Sequence, residues 1–430
     1  MTDKSLIRAL PSRFVLAVTV GGVIGLGILR GPGEIAEVVP QPLPYLALWL
    51  LGGLFVLLST AVVTELIGIT PRSGGTYSLI RHAYGPYPGF VIGWVDWLSF
   101  AADLALKAVV ITEFAAILFP EAAAWSRPLA IIVTTVFATI QLRGIGLGAL
   151  IQEFATSLIG VIIFALALVL FFVEAPLIPA ADALPVKNGV GDWSLVIATI
   201  IFTYDGWLYA SYFSGETKGG AGTAASSCIK GMVVVIALYM LLNVALVKST
   251  GLAALAGNEL ALAHALELVV SPAASSIIVV ASILILLSHQ NLGYMGGPRI
   301  LQALAEDGLA TQRAQKVGAG GNPVFAVVVT WLVTVGLILI GGFEFLLLLS
   351  VFFYVPLYLA LITGVLILRR REPHAERPYR AWGHPYSTVA CLLGWIVITV
   401  FQAYAERETA LYAVAMVVVS WPVYRYLARK

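Results

Sequence analysis

Apolar runs long enough to cross a bilayer recur about twelve times along this chain, centred near residues 26, 57, 103, 135, 160, 203, 239, 286, 333, 356, 395 and 419. A span needs about 20 predominantly apolar residues. In hydrocarbon each backbone N–H and C=O must be satisfied within the protein, so such runs have to be helices. Charged residues make up 11% of the chain and hydrophobic residues 60%, whereas ordinary soluble domains carry about 25% charged residues. An ordinary soluble enzyme is excluded. The longest polar connections, near 174–192, 251–272, 305–323 and 369–385, leave room for loops with a surface helix each but not for a second domain. The expectation is an all-α polytopic membrane protein with 12 transmembrane helices in a single domain.

The formal net charge of +2 is uninformative, but the placement of the basic residues is not. Assigning the connections alternately to two sides puts roughly 19 of the 25 Lys and Arg on one side. That side holds Lys4, Arg8, Arg13, Arg72, Arg81, Arg143, Arg369, Arg370, Arg371, Arg377, Arg380, Arg425, Arg429 and Lys430. The positive-inside rule makes it cytoplasmic, which puts both termini in the cytosol and the protein in the inner (plasma) membrane. Basic residues before the first apolar run resemble a signal peptide, but that run is too long and has no convincing small-residue cleavage site. It is expected to stay as the first span. The only two cysteines, Cys228 and Cys391, match no metal or redox spacing and are expected to be free thiols.

Within the first span, Gly21-Gly22-Val23-Ile24-Gly25-Leu26-Gly27 places four glycines in seven residues. Each interior glycine costs about 1 kcal/mol of helix propensity, so the helix is expected to break at Gly25 to Gly27. The sixth span is expected to break at Tyr204-Asp205-Gly206-Trp207. The two lie five spans apart, and an odd number of helices per repeat inverts the second copy. Residues 1–173 and 192–368 are therefore candidate inverted repeats, with 386–428 supplying two appended helices. Arg377-Pro378-Tyr379-Arg380-Ala381-Trp382-Gly383-His384-Pro385 reads as an ordered cytoplasmic loop.

These pieces, with Ile24 to Ile28, Thr64-Glu65-Leu66, Pro71-Arg72-Ser73-Gly74-Gly75-Thr76-Tyr77, Gly215-Glu216 and Arg299 to Glu306-Asp307-Gly308, resemble the amino acid, polyamine and organocation (APC) transporter superfamily over nearly the whole chain. The chain is similar to bacterial relatives of the L-type amino acid transporters. The resemblance implies the leucine-transporter fold with a 5+5 inverted repeat. It implies alternating-access transport of amino acids, in which spans 1, 2, 6 and 7 rock against spans 3, 4, 5 and 8. Two departures stand out. Leu26 sits between two glycines where the family usually has a small or hydroxylated residue, and the fifth-span stretch Gln152 to Ile159 lacks the lysine that many relatives carry.

A break in span 1 would free the amides of Gly25, Leu26, Gly27 and Ile28 at the positive end of a half-helix, which suits a carboxylate. The alternative is plain helix packing through Gly21 and Gly25. In span 6, unwound carbonyls near Gly206 would suit an ammonium group, with Phe202, Tyr204, Trp207 and Tyr209 as gates or cation–π partners. Asp205 reads either as a substrate ligand or as the N-cap of the second half-helix. Asp96, Asp103 and Lys107 share one stripe of span 3. Asp103 and Lys107 form either a packing ion pair or a functional one, and Asp96 has no evident partner. Ser288-His289-Gln290-Asn291 is a polar run in span 8, where His289 reads either as a proton carrier or as a satisfied interior histidine.

The histidines at 82, 264, 289, 374 and 384 have no metal-ligand spacing, and the chain has neither a nucleophile elbow nor a phosphate loop. No catalytic residues, cofactor or metal are expected, and nucleic acid needs no invoking because lipid headgroups account for the basic residues. The expected partners are the bilayer and a small amino acid or amine substrate. The primary expectation is a secondary transporter or exchanger of small or neutral amino acids, with proton coupling ahead of sodium. A carrier of amines, polyamines or other organocations, a channel, and a membrane sensor remain as alternatives.

Overall fold

The computed structural model describes residues 10–70, 72–173, 189–258, 260–341, 354–405, 418 and 420–427. Lys4, Arg8, Pro71, Arg429, Lys430, most of the 174–192 connection, the start of the span near 356 and much of the span near 419 lie outside the described residues. Among the described residues the chain is helical. The β pairing given for them is one isolated parallel bridge between Leu10 and Thr217.

The first span is two helices, α1 (Ser12–Val23) and α2 (Leu26–Val38), followed by α3 (Pro42–Ile69), α4 (Gly75–Tyr84) and α5 (Pro86–Leu118). A 3₁₀ turn at Pro120–Trp125 leads into α6 (Ser126–Arg143), and α7 is Ile145–Phe172. The sixth span is α8 (Val190–Tyr204) continued by a 3₁₀ helix, Trp207–Glu216. Then come α9 (Gly220–Ser249), the short α10 (Leu252–Leu255) and α11 (Ala261–Val269), and α12 (Pro272–Glu306). A 3₁₀ turn at Gln312–Gln315 precedes α13 (Val324–Ile340), α14 (Tyr354–Arg371) and α15 (Tyr386–Ala405). The 251–272 connection thus holds two surface helices where one was expected.

Among the described residues, six helical stretches combine the length and apolarity needed to cross a membrane: Ser12–Val38, Pro42–Ile69, Pro120–Arg143, Ile145–Phe172, Gly222–Ser249 and Ala273–Glu306. Val324–Ile340 and Tyr386–Phe401 are shorter and apolar. The third run is interrupted chemically, by Asp96, Asp103, Lys107 and Glu113 on α5. The sixth is interrupted structurally, because α8 ends after 15 residues.

Helix α7 shows how the chain orders itself around a lipid solvent. Its exposed stripe is Leu150, Phe154, Val161 and Phe164, while Gln152 and Thr156 are buried. Apolar side chains lose nothing against hydrocarbon, whereas polar ones must find partners inside. Helices α5 and α12, 33 and 35 residues long and therefore each about 50 Å, pack along one another at the centre. Against α12 stand α1, α2 and the Trp207–Glu216 helix, with α8 packed on α2 and α3, and α9 on α1 and α3.

Candidate functional site

The break in the first span is anchored by backbone capture. Ile24 N–H still bonds to Val20 O, at 2.9 Å, and α2 starts afresh with Gly25 as its N-cap and no side-chain cap. The freed carbonyl of Val23 accepts from the Tyr239 hydroxyl at 3.0 Å. The Gly22 carbonyl lies 3.2 Å from His289 Nε2, and His289 Nδ1 lies 3.0 Å from Ile285 O. What stays open is the first turn of α2, whose leading N–H groups have no acceptor within their own helix. Gly25 and Leu26 there are partly exposed.

The four glycines divide by function. A methyl at Gly21 would lie 2.2 Å from Thr156 Oγ1, and one at Gly27 would lie 2.5 Å from Thr203 Oγ1. At Gly22 it would meet Tyr209 at 2.7 Å and the Gly206 carbonyl at 2.9 Å. These three permit close packing. Gly25 faces the His289 ring at an ordinary 3.5 Å, so its place in the break rather than steric need sets it apart.

The second break faces the first. Helix α8 closes at Asp205, and Gly206, at φ 105°, begins the 3₁₀ helix. A Cβ on Gly206 would sit 2.1 Å from Gly22 O, so the two interrupted backbones touch. That contact, together with the left-handed φ, demands glycine. Gly206 holds the cap position expected of Asp205. The Asp205 carboxylate instead accepts from the Tyr358 hydroxyl of α14. Tyr358 is itself stacked between Trp207 and Trp395, with ring centroids 5.6 and 4.4 Å away.

The aromatic residues around this break point in different directions. Tyr204 is buried behind it, its hydroxyl donating to Trp49 O at 3.1 Å and its ring packed on Tyr239. Phe202 is 44% exposed, on the stripe of α8 that also exposes Leu195. Trp207 is buried against Tyr358. Tyr209 is partly exposed and packs on Phe100 of α5, centroids 5.5 Å apart.

Helix α5 supplies the opposite wall. Asp96 is buried and accepts from Thr76 and from Tyr212, the latter at 2.9 and 3.1 Å, which provides the partner the sequence did not reveal. Asp103 and Lys107 pair at 2.6 Å. Both act electrostatically on Asp205 and His289.

Asn291 joins a buried amide chain. Its Nδ2 donates to Gln152 Oε1 at 3.1 Å, and its Oδ1 accepts from Gln141 Nε2 at 2.9 Å. Asn322 Nδ2 donates to Gln141 Oε1 at 3.1 Å, and Arg299 Nη2 donates to Asn322 Oδ1 at 3.2 Å. At the other end, Gln152 Nε2 donates to Ser288 and Thr156, and Thr156 donates to the Ala17 carbonyl of α1. Gln152, in the fifth-span stretch that lacks a lysine, thus ties α7 to α12. Glu153 sits at the helix surface, 2.9 Å from Arg13.

The arginine-rich end is sealed. Arg299 and Glu216, each 1% exposed, bond at 2.5 and 3.0 Å, and the guanidinium also lies 5.0 Å from the centre of the Phe213 ring. Arg72 bonds to Asp307 and Glu306, each at 2.9 Å, and Arg81 and Tyr77 also bond to Asp307. Glu65 holds Arg369, Arg377 and the Ala381 amide, which orders the 377–385 loop. Burial, with Glu65 adding to it, pushes the Tyr379 phenol up to about 12. Burial, reinforced by Arg369, holds His384 below the usual imidazole range. As charges within apolar runs, Glu65, Glu216 and Arg299 carry a readable sequence signal. Tyr239, Gln141 and Tyr358 carry none, because their roles depend on neighbours distant in the chain.

Comparison with known proteins identifies the family. A family model described as amino acid permease matches residues 14–421. The serine/threonine exchanger SteT of Bacillus subtilis is 24% identical, over 91% of this chain and 90% of the relative. The gamma-aminobutyric acid permease of the same organism is 25% identical, over 99% and 95%. The D-serine/D-alanine/glycine transporter of Escherichia coli K12 is 20% identical, over 93% and 87%. These relatives are permeases and exchangers rather than enzymes. With a match over nearly its whole length and a helical, membrane-compatible structure, the chain belongs to the amino acid permease family of the APC superfamily.

Proposed function

We propose that the protein is a secondary transporter or exchanger of small neutral amino acids that works by alternating access, with the substrate held between the two breaks. The observation that carries this is the backbone contact of Gly22 with Gly206, beside a partly exposed first turn of α2 that lacks a side-chain cap. The amides of Leu26, Gly27 and Ile28 would take the carboxylate, and carbonyls at the end of α8 would take the ammonium group. In this reading Gly25, Leu26, Gly27, Ile28, Asp205 and Gly206 form the site. Tyr204 and Trp207 hold its frame, and Phe202 faces outward.

The finer architecture proposed is 12 spans with residues 1–173 and 192–368 as inverted repeats. Supporting this, each half starts with a broken helix, continues with one of 28 or 30 residues, and later has one of 33 or 35. The sealed arginine-rich end would be cytoplasmic, with both termini there and the protein in the plasma membrane. For coupling, a neutral imidazole has one N–H, whereas His289 places both ring nitrogens against carbonyl oxygens. A protonated ring would donate to both carbonyls, which supports the reading of proton coupling ahead of sodium.

The deciding experiment is uptake and exchange by purified protein in liposomes with a panel of labelled amino acids. Saturable uptake of small neutral amino acids is expected, and no substrate-specific flux across the panel would overturn the reading. Replacing His289 by Gln should remove any dependence on an imposed pH gradient. Unchanged proton dependence in that variant would end its proton role.

A further inference from the structure

On α5, residues 96, 100, 103 and 107 follow one another at spacings of four, three and four, so they line a single helical stripe. The lower half of this stripe is closed. Asp96 holds the Tyr212 hydroxyl, and Phe100 packs edge-on against Tyr209 and Tyr212 at 5.5 and 5.0 Å. All these contacts are with the Trp207–Glu216 helix. The upper half continues in the same direction, toward the breaks, and carries Asp103 and Lys107. Their side chains are 15% and 14% exposed, neither sealed into the core nor out on a solvated face. Leu26, the first residue of α2, packs against an apolar cluster to which α5 and α12 both contribute. The charges of Asp103 and Lys107 are also felt at Asp205 and His289. The pair therefore lies on the same stripe as the contacts to the Trp207–Glu216 helix, within electrostatic reach of Asp205 and His289.

From this placement we infer that the Asp103–Lys107 ion pair faces the substrate space and selects the side chain of the cargo, favouring short side chains that both donate and accept a hydrogen bond, such as a hydroxyl or carboxamide. The inference rests on the transport reading above and assigns the substrate class. With the substrate carboxylate at α2 and its ammonium group at the end of α8, the third substituent on its α-carbon is directed at the remaining wall, which is α5. A hydroxyl there can donate to the Asp103 carboxylate and accept from the Lys107 ammonium, so the pair stays satisfied when cargo displaces water. An apolar side chain of equal size would strip water from both charges and return nothing. Sites built around hydrogen-bonding groups reject analogues that lack them far more strongly than apolar pockets discriminate by size. The pair is neutral as a whole, so a charged side chain would satisfy one partner and repel the other. Leu26 narrows the same space and disfavours long side chains.

Threonine and valine have nearly the same shape and differ by hydroxyl against methyl, so their ratio isolates this effect. In liposomes containing the purified full-length protein, kcat/KM for L-threonine should exceed that for L-valine by at least tenfold. Lys107→Met leaves Asp103 alone and should shift preference toward short cationic side chains, tested with 2,4-diaminobutyrate. Asp103→Asn leaves Lys107 alone and should shift it toward aspartate. The Asp103→Leu/Lys107→Met double variant removes both charges and should lower the threonine-to-valine ratio at least tenfold while retaining flux. A merely structural ion pair would lower all substrates together and leave the ratios unchanged, and that result would overturn the inference. Equal transport of threonine and valine by the wild-type protein would overturn it without any variant, whatever the variants' folding. A wild-type protein that carries no amino acid would instead overturn the transport reading itself.

Discussion

Replacing Glu216 by Gln should open the sealed end of the molecule. In this conformation the Glu216–Arg299 pair is fully buried and bidentate, joining the Trp207–Glu216 helix to α12. Removing one member of a buried ion pair costs about 3–5 kcal/mol, because the other charge is left uncompensated. Arg299 keeps Asn322, the Met295 carbonyl and the Phe213 ring, so the lower figure of about 3 kcal/mol applies. The penalty falls on the closed form, since opening this end lets water reach the guanidinium. At about 1.4 kcal/mol per factor of ten, the closed form loses on the order of 100-fold in population relative to the open one. Ser214 reports on the change: it is 4% exposed and its hydroxyl donates to the Arg72 carbonyl at 3.1 Å. In protein with Cys228 and Cys391 replaced, Ser214→Cys should react slowly with a polar maleimide. Adding Glu216→Gln should raise that rate more than tenfold. Unchanged labelling alongside a lower melting temperature would show that the pair only stabilises the fold and would refute the gating argument.

Four other outcomes follow from the contacts described above. Gly206→Ala should abolish transport and lower thermal stability, because backbone strain of about 1–3 kcal/mol adds to a clash 2.1 Å from Gly22 O. Gly25→Ala should fold to within about 1 kcal/mol of wild type, as its nearest neighbour lies at 3.5 Å; uptake and melting curves separate the two. Gln141→Leu leaves the buried Asn291 Oδ1 without its donor, and should cost about 1–3 kcal/mol for that orphaned group, read as a fall in melting temperature. Because His384 is held below its ordinary 6.5 in the folded state, its neutral form belongs to the ordered loop. That contribution is complete above about 6.5 and is lost as pH falls through the lower folded value. Limited proteolysis of the 372–385 loop should therefore quicken between pH 7 and 5.

Much of this was legible without coordinates, for a physical reason. A segment in hydrocarbon must close its hydrogen bonds locally, so helix positions and interruptions are properties of short stretches of sequence. Gly25 and Gly206 stand out for that reason, as does the stripe of charges on α5. Twelve apolar runs could be read in the same way, although Asp96, Asp103 and Lys107 make the third less apolar than a length rule requires.

Tertiary structure decided which of these features does what. Nothing local distinguishes Gly21, pressed on Thr156, from Gly25, in ordinary contact with His289. Nor does local sequence say that Asp205 would be held by Tyr358, 153 residues away, or Gly22 O by His289, 267 residues away. Tyr204 and Phe202 are two residues apart, and only the rotation of α8 against α3 buries one and exposes the other. The sequence alone determined that two helices break and that charges enter the membrane. Helix packing determined that the breaks meet at Gly22 and Gly206, that Glu216 and Arg299 are buried together at one end, and that Asp96 is held by Tyr212. Such contacts join groups far apart in the chain, and no local periodicity encodes them.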